Sequence, residues 1–231
     1  MTTMVKLLGV SGSPKKKGSN TTQMVAAALE GAATIGDVET ELIELGKLRI
    51  EQCTGCRACR RQQVPYCPVI DDDMNPLYPK VMEADGLIIG SPVYFASVTA
   101  LTKAFMDRTT CLGGAVGFAM KYKVGAAITV GGTRHGGQEL TLAMIRNYVL
   151  MMGGILVSGI PPHGYWGGAG VAGDIQEDEW HLYGQTINAL NVCRDVGRRV
   201  AIVARLLKAG VQAEGDELLS FELGETRTAA Y

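Results

Sequence analysis

Residues 5–34 read VKLLGVSGSPKKKGSNTTQMVAAALEGAAT. Val5–Val10 is a short apolar run that ends in Ser-Gly-Ser-Pro, and Thr21–Thr34 has helical composition. An apolar run, a turn rich in glycine and hydroxyls, and then a helix open a strand–loop–helix unit. The same alternation continues outward from it. Thr40–Leu45 reads as a second strand, and residues 46–75 are irregular. Met74–Ala84 reads as a helix with Pro76 and Pro79 in its first turn. Gly86–Gly90 (GLIIG) is a buried strand, Val98–Thr110 a helix and Val124–Val130 a fourth strand. Glu139–Met152 is a helix and Ile155–Ser158 a fifth strand. Glu177–Lys208 reads as a long terminal helix, with Trp180, Tyr183, Ile187, Leu190, Val196, Val200 and Val203 near helical spacing.

Strands separated by helices imply right-handed crossovers and a parallel sheet. The expected fold is α/β: a flavodoxin-like, doubly wound sheet of five parallel strands in the order 2-1-3-4-5. A cysteine-rich loop, residues 46–75, is inserted after strand 2. Residues 1–208 are expected to form one domain, with 209–231 (AGVQAEGDELLSFELGETRTAAY) as a loose acidic tail.

The chain has 231 residues, with 22 Lys+Arg against 23 Asp+Glu. This near-neutral balance argues against a nucleic-acid surface or a polybasic membrane surface. With 47% hydrophobic and 19% charged residues, the composition excludes a disordered chain. No run approaches the roughly 18 apolar residues of a spanning helix. The start, MTTMVKLLGVSGSP, lacks the longer apolar segment of a secretory signal, so a cytoplasmic location is expected.

In sheets of this kind, ligands bind beyond the carboxyl ends of the strands. Ser11–Thr22 follows the first strand and carries five hydroxyls, an amide and three lysines. Free N–H groups at a helix start, together with the dipole, favour a phosphate there. The spacing fits neither a Walker A loop nor GxGxxG, so a monophosphate cofactor is the better match. Ser91-Pro-Val-Tyr-Phe95 follows the third strand, and Tyr94 and Phe95 can wall a planar ligand. Gly131-Gly-Thr-Arg-His-Gly-Gly137 follows the fourth, and its glycines let main-chain N–H groups approach a flat heterocycle. His135 reads as a solvated loop residue.

Four of the six cysteines, Cys53, Cys56, Cys59 and Cys67, fall within fifteen residues as C-x2-C-x2-C-x7-C, followed by Pro68. Such clustering in a chain that shows no sign of secretion points to metal ligands or redox thiols. Two successive x2 gaps are similar to the start of a ferredoxin run and favour an iron–sulfur cluster. Zinc, which four thiolates also bind, is the principal rival, and a disulfide redox pair is a third reading. Lys47, Arg49, Arg57, Arg60 and Arg61 lie close to these cysteines in sequence and could offset a cluster's charge or steer an acidic partner. Cys111 and Cys193 lie on helical patterns and read as small buried hydrophobes.

Three segments, GVSGSPKKKGSNT, CTGCRACRRQQVPYCPVIDD and EADGLIIGSPVYFASVTALTKAFMDR, resemble the iron–sulfur flavoproteins of the NADPH-dependent FMN reductase superfamily. The resemblance spans about residues 4–160 and is most specific over 53–108. It implies FMN, a 4Fe–4S cluster and a homodimer or homotetramer. It implies FMN-phosphate contacts from Ser11, Ser13, Lys15, Ser19, Asn20, Thr21 and Thr22. It implies isoalloxazine contacts from Ser91, Pro92, Val93, Tyr94 and Phe95, and from Gly131, Gly132, Thr133, Gly136 and Gly137. Cluster ligation falls to Cys53, Cys56, Cys59 and Cys67. The chain departs from the family in having Lys15 where Arg is common, and in its long x7 gap.

The expected function is an electron-transfer flavoprotein. Electrons would pass from a one-electron donor, such as a ferredoxin-like protein, through the cluster to FMN, and on to dioxygen, peroxide or a quinone. No side-chain acid or nucleophile is required. The alternative is an NAD(P)H-dependent FMN or quinone reductase whose cysteines hold structural zinc. A third reading is a flavin-bearing redox sensor without turnover.

Overall fold

The computed structural model describes residues 4–160, 163–173, 175–176, 179–182 and 185–226. Five parallel strands lie in the order β2-β1-β3-β4-β5: β1 (Val5–Ser11), β2 (Val38–Glu44), β3 (Gly86–Pro92), β4 (Val124–Gly131) and β5 (Ile155–Leu156). This is the expected flavodoxin-like order. The helices are α1 (Asn20–Ala33), α2 (Ala58–Gln62), α3 (Leu77–Glu83), α4 (Ala100–Arg108), α5 (Gln138–Met151) and α6 (Ala189–Thr226).

Alternation along each strand assigns side chains to the two faces. Leu7, Ile88 and Ile128 pack with α1 and α6, whereas Leu8, Leu87 and Ile89 pack with α3, α4 and α5. The central strands β3 and β4 are buried along their length except at Pro92, the last residue of β3, as a sheet covered on both sides requires.

Helices α1 and α6 cross at two glycines. A Cβ on Gly197 would stand 1.7 Å from the Ala28 carbonyl oxygen, and one on Gly31 would stand 2.1 Å from that of Arg194. Backbone therefore touches backbone, and neither side can yield by rotating a side chain. Gly197→Ala should lower stability by about 2 kcal/mol although alanine is the better helix former by ~1 kcal/mol. A urea midpoint that rises instead would show that α6 moves aside freely.

The edge beyond β4 differs from expectation. The fifth strand, read as Ile155–Ser158, is limited to Ile155–Leu156, which pair with Val124 and Gly125. A further parallel strand, β6 (Gly168–Val171), pairs with Ile128–Gly131 on the same edge, because β3 already holds the other. The fifth position is thus split into two pieces by an excursion. Between the expected fifth strand and the expected last helix, β6 (GAGV) carries almost no hydrophobic signal. Its small residues are a packing requirement: a Cβ on Gly168 would stand 2.6 Å from the Cys193 sulfur. Pro161 and Pro162 lie outside the described residues.

The last helix also requires correction. It starts at Ala189 rather than Glu177, after an antiparallel pair, β7 (Trp180–Leu182) and β8 (Gln185–Ile187). Asn188 caps it, its Oδ1 accepting the Asn191 N–H at 2.9 Å. Apolar residues at 180, 183 and 187 mimic helical spacing across a hairpin; Tyr183 lies outside the described residues. The stretch expected as a loose tail continues the helix to Thr226, consistent with its Ala, Glu and Leu content. Residues 227–231 lie outside the described residues.

Candidate functional site

Three loops meet at the carboxyl ends of β1, β3 and β4. In the first, Ser19 caps α1, its Oγ accepting the Thr22 N–H at 3.1 Å, and Ser11 Oγ lies 2.8 Å from Thr22 Oγ1. Ser13 Oγ accepts the Lys15 N–H at 3.3 Å. Ser11, Ser13, Ser19 and Thr21 are buried, Asn20 and Thr22 half-buried, and Lys15–Gly18 arches into solvent. Because α1 begins at this end of the sheet, its free amides and positive dipole end face the bay.

A hydroxyl network joins this loop to the next. Thr99 Oγ1 donates to the Gly12 carbonyl at 2.7 Å, Ser91 Oγ accepts the Thr99 N–H at 3.1 Å, and Thr102 Oγ1 lies 3.2 Å from Ser91 Oγ. The Ser91 hydroxyl is therefore engaged within the protein. A Cβ on Gly12 would stand 1.8 Å from Thr102 Oγ1, so glycine is required there. Beyond Pro92 and Val93, Tyr94 and Ser97 exchange two backbone hydrogen bonds around Phe95 and Ala96. Both of these hold positive φ, 51° and 57°. Such strain costs on the order of 1 kcal/mol per residue. It holds Phe95 wholly in solvent, at 104% relative exposure.

Gln138, which sequence reading passed over, organises the third loop. Its buried amide donates to the Thr133 carbonyl at 2.7 Å and accepts the Gly136 N–H at 2.8 Å. Gly137, at φ 105°, packs against Ala96, where a Cβ would stand 2.7 Å from the Ala96 Cα. The third loop thus rests on the second. Around Gly132 an added Cβ would meet nothing within 4 Å, so that main chain is open to a flat ligand. His135 is exposed and also has positive φ.

The cysteine loop stands on a stem zipped by the Asp71–Asp73 run. Asp73 accepts the Arg49 N–H at 2.7 Å, and Asp72 accepts the Glu51 N–H at 2.8 Å and the Met74 N–H at 3.1 Å. Arg108, from the end of α4, forks onto Asp72 at 2.6 and 3.0 Å and donates to the Glu51 carbonyl at 3.0 Å. Both side chains are buried, at 1% and 0% exposure. One guanidinium therefore ties together the two feet of the loop.

Above this clamp, Cys53, Cys56, Cys59 and Cys67 are free thiols lining one cavity of about 680 Å³. Arg108 and Cys111 line it too, and Met106, Phe118, Tyr148 and Met152 supply apolar wall. The Cys56 thiol is held below its ordinary range, chiefly by the Ala58 N–H and then by the Thr54 hydroxyl. Left-handed Arg57 (φ 57°) precedes the helical Ala58 there, an arrangement that gathers main-chain donors around an anion. Burial raises the Cys59 thiol despite a hydrogen bond from the Arg60 N–H. Cys111, expected to be a buried hydrophobe, is indeed buried, and it is also a fifth thiol of this cavity. Burial first, then Cys59, pushes it up to about 12. Cys193 is buried under β6, remote from the loop.

The donor set suits a soft metal or a cluster. Among the described residues, no three His, Cys, Asp or Glu side chains are grouped to hold a metal ion. The thiols stand around a cavity, and two buried polar atoms nearby, Arg108 Nε and Tyr78 Oη, have no hydrogen-bond partner. Four soft ligands about an anion-compatible hollow fit a polynuclear iron–sulfur group.

Alternating strands and helices, three converging loops and a thiol cavity after β2 define a flavodoxin-type redox protein with an added cysteine site. The chain belongs to the NADPH-dependent FMN reductase family, whose model matches residues 5–163. It is 40% identical over 207 residues to an iron–sulfur flavoprotein of Methanocaldococcus jannaschii, covering 88% of this chain and 100% of that one. It is 43% identical over 153 residues to an iron–sulfur flavoprotein of Methanosarcina thermophila, covering 66% and 77%. Among solved structures, a flavodoxin, WrbA-like protein from Agrobacterium tumefaciens shares the fold, with a TM-score of 0.57, 20% identity and coverage of 87% and 98%.

Proposed function

We propose that this protein is an electron-transfer flavoprotein that holds FMN at the three rim loops and a 4Fe–4S cluster at Cys53, Cys56, Cys59 and Cys67. The cavity shared by these four thiols carries the reading, because it adds a thiol-lined site to a domain of the FMN reductase family. A flavin exchanges one or two electrons and a cluster one, so the pair would link a one-electron donor such as a ferredoxin-like protein to dioxygen, peroxide or a quinone. NAD(P)H is the competing donor.

The chain's own residues divide the work. Ser11, Ser13, Ser19, Asn20, Thr21 and Thr22 frame the bay where a phosphate would meet the α1 amides, with Lys15 adding positive charge from the arch. Gly131, Gly132, Thr133, Gly136 and Gly137 present main chain toward a flat ring, and Pro92, Val93, Tyr94 and Phe95 border it. Arg108 and Asp72 fix the thiol loop against the sheet. Exposed Tyr66, Val69, Phe118 and Met151 are apolar surface on and beside the segments that form the cavity, which supports a homodimer or homotetramer. Among the described residues no helix is long and apolar enough to cross a membrane. A cytoplasmic location belongs to the same proposal.

An anaerobic visible spectrum, with iron, sulfide and FMN counted on the same sample, tests the proposal. About four iron and four sulfide per FMN would support it. FMN with zinc and no sulfide would move the protein to a nicotinamide-driven reductase with structural cysteines. Gln138→Leu removes both loop hydrogen bonds, a loss of about 1–2 kcal/mol. FMN should then dissociate roughly 5–30-fold more readily, measured by flavin fluorescence on dilution. Unchanged affinity would displace the ring from this loop.

A further inference from the structure

The last helix outruns the domain that anchors it. The α6 residues that join the core end at Ala204, with Leu207 packed against its margin. Two cations then fasten the helix where β1 and β3 begin. Arg205 Nη1 donates to the Ile35 carbonyl at 3.1 Å, and Lys208 Nζ to the Met4 carbonyl at 3.0 Å and to Asp85 at 2.7 Å. Past that point α6 continues to Thr226. At 1.5 Å per residue this arm, residues 209–226, is about 27 Å long. Residues 209–214 span more than one turn and are all exposed, so every face of the helix meets solvent there.

Such an arm is poorly suited to stand alone. A lone helix of this length is marginal in water, and Gly210, Gly215 and Gly224 weaken it further. Its charge also opposes its own dipole. Glu222 and Glu225 sit toward the C-terminal end, where cations are preferred, and the last turn holds no basic residue. In all, 209–226 carries five acidic residues and no Lys or Arg. The chain's 23 acidic residues less these five leave 18 against 22 basic ones, so the rest of the molecule is +4. An acidic arm of this kind repels a second arm and fits a cationic surface.

The cysteine loop offers one. Arg57, Arg60 and Arg61, at the head of α2 and along it, are exposed, and none forms an ion pair among the described residues. Arg57 and Arg60 line the thiol cavity with Phe118 and Met151, which are exposed apolar residues. The arm's sequence supplies apolar residues to match, Val211, Leu218, Leu219, Phe221 and Leu223. The loop of the same chain is not the target, because α6 and the cysteines pack on opposite faces of the sheet.

Deepening the homo-oligomer reading above, on which it rests, we propose that the acidic arm of α6 docks on the basic cysteine loop of a second copy, at Arg57, Arg60 and Arg61. The exchange is reciprocal: each copy gives an arm and receives one. The docked arm borders the mouth of the thiol cavity, so assembly and the cysteine site share a surface.

Sedimentation velocity of the full chain tests this. At low salt the wild type should be a dimer or larger, and about 0.5 M NaCl should shift it toward monomer, because exposed ion pairs are screened. Glu217→Lys with Glu222→Lys should weaken association about tenfold or more. Lysine toward the C-terminal end suits the helix dipole, so this loss would not come from a melted arm. Arg60→Glu with Arg61→Glu should weaken association similarly. All four substitutions in one chain should restore it, because each new lysine then meets a new glutamate. Undiminished association in either reversed pair, or no recovery in the fourfold variant, would overturn this inference and leave the homo-oligomer reading standing. A wild type that stays monomeric at every concentration would overturn both.

Discussion

Arg108→Met should destabilise the protein by about 3–5 kcal/mol and release the cysteine loop from the sheet. The variant leaves Asp72 buried at 0% exposure without its cation, and it frees the Glu51 carbonyl at the other foot of the stem. With total stability near 5–15 kcal/mol, such a loss is a large share of the whole. Urea denaturation and iron content would both fall. Asp72→Leu combined with Arg108→Met should restore part of the loss, since an apolar pair tolerates burial better than a lone charge. Restoration is incomplete because Asp72 also accepts the Glu51 and Met74 amides. A wild-type urea midpoint for Arg108→Met would show that the clamp is dispensable.

The same pair sets an acid limit. Burial raises the Asp72 carboxyl, but hydrogen bonds from Arg108, Glu51 and Met74 outweigh it and leave the group below its ordinary value. A carboxyl lowered in the folded state contributes stability that is complete above the unfolded value and lost as pH falls through the folded one. Its share should therefore persist down to about pH 4 and disappear below. Thermal melts across that range, wild type against Asp72→Asn, would show the difference closing only in acid.

Cys59→Ala should abolish cluster binding while FMN remains. Cys59 is the third ligand of the tight run, half-buried on α2 and packed against the core, so its loss opens the set at its most fixed position. Iron and sulfide should fall to background, and the flavin bands should persist because the rim loops lie on other elements. Cys111→Ala is the matched control: it removes a thiol from the same cavity and should leave iron content intact. Iron retained by Cys59→Ala but lost from Cys111→Ala would reassign the ligands.

Much of this architecture was legible before any coordinates. The GLIIG run and the apolar strand before Ser11 are too short for helices and too apolar for exposed strands. Once helices separate them, handedness leaves few topologies. Ser19 announced the start of α1 by its side-chain chemistry, and the cysteine spacing declared a shared site. Legibility ended where signals are ambiguous or absent. The spacing of Trp180, Tyr183 and Ile187 serves a helix and a hairpin alike, and the capping amide of Asn188 decides the boundary. Strand β6 is written in glycine and alanine, residues that mark close approach without saying what is approached.

The sequence by itself determined the order of elements, the parallel sheet and the grouping of four thiols, because these follow from local periodicity, chain handedness and short spacing. Only the tertiary structure decided that Arg108 clamps Asp72 from 36 positions away, that Gln138 holds its loop, and that Cys111 lines the cysteine site. Such contacts leave no periodic trace. Each depends on where two separate elements bury their polar atoms, and that is settled when the layers pack.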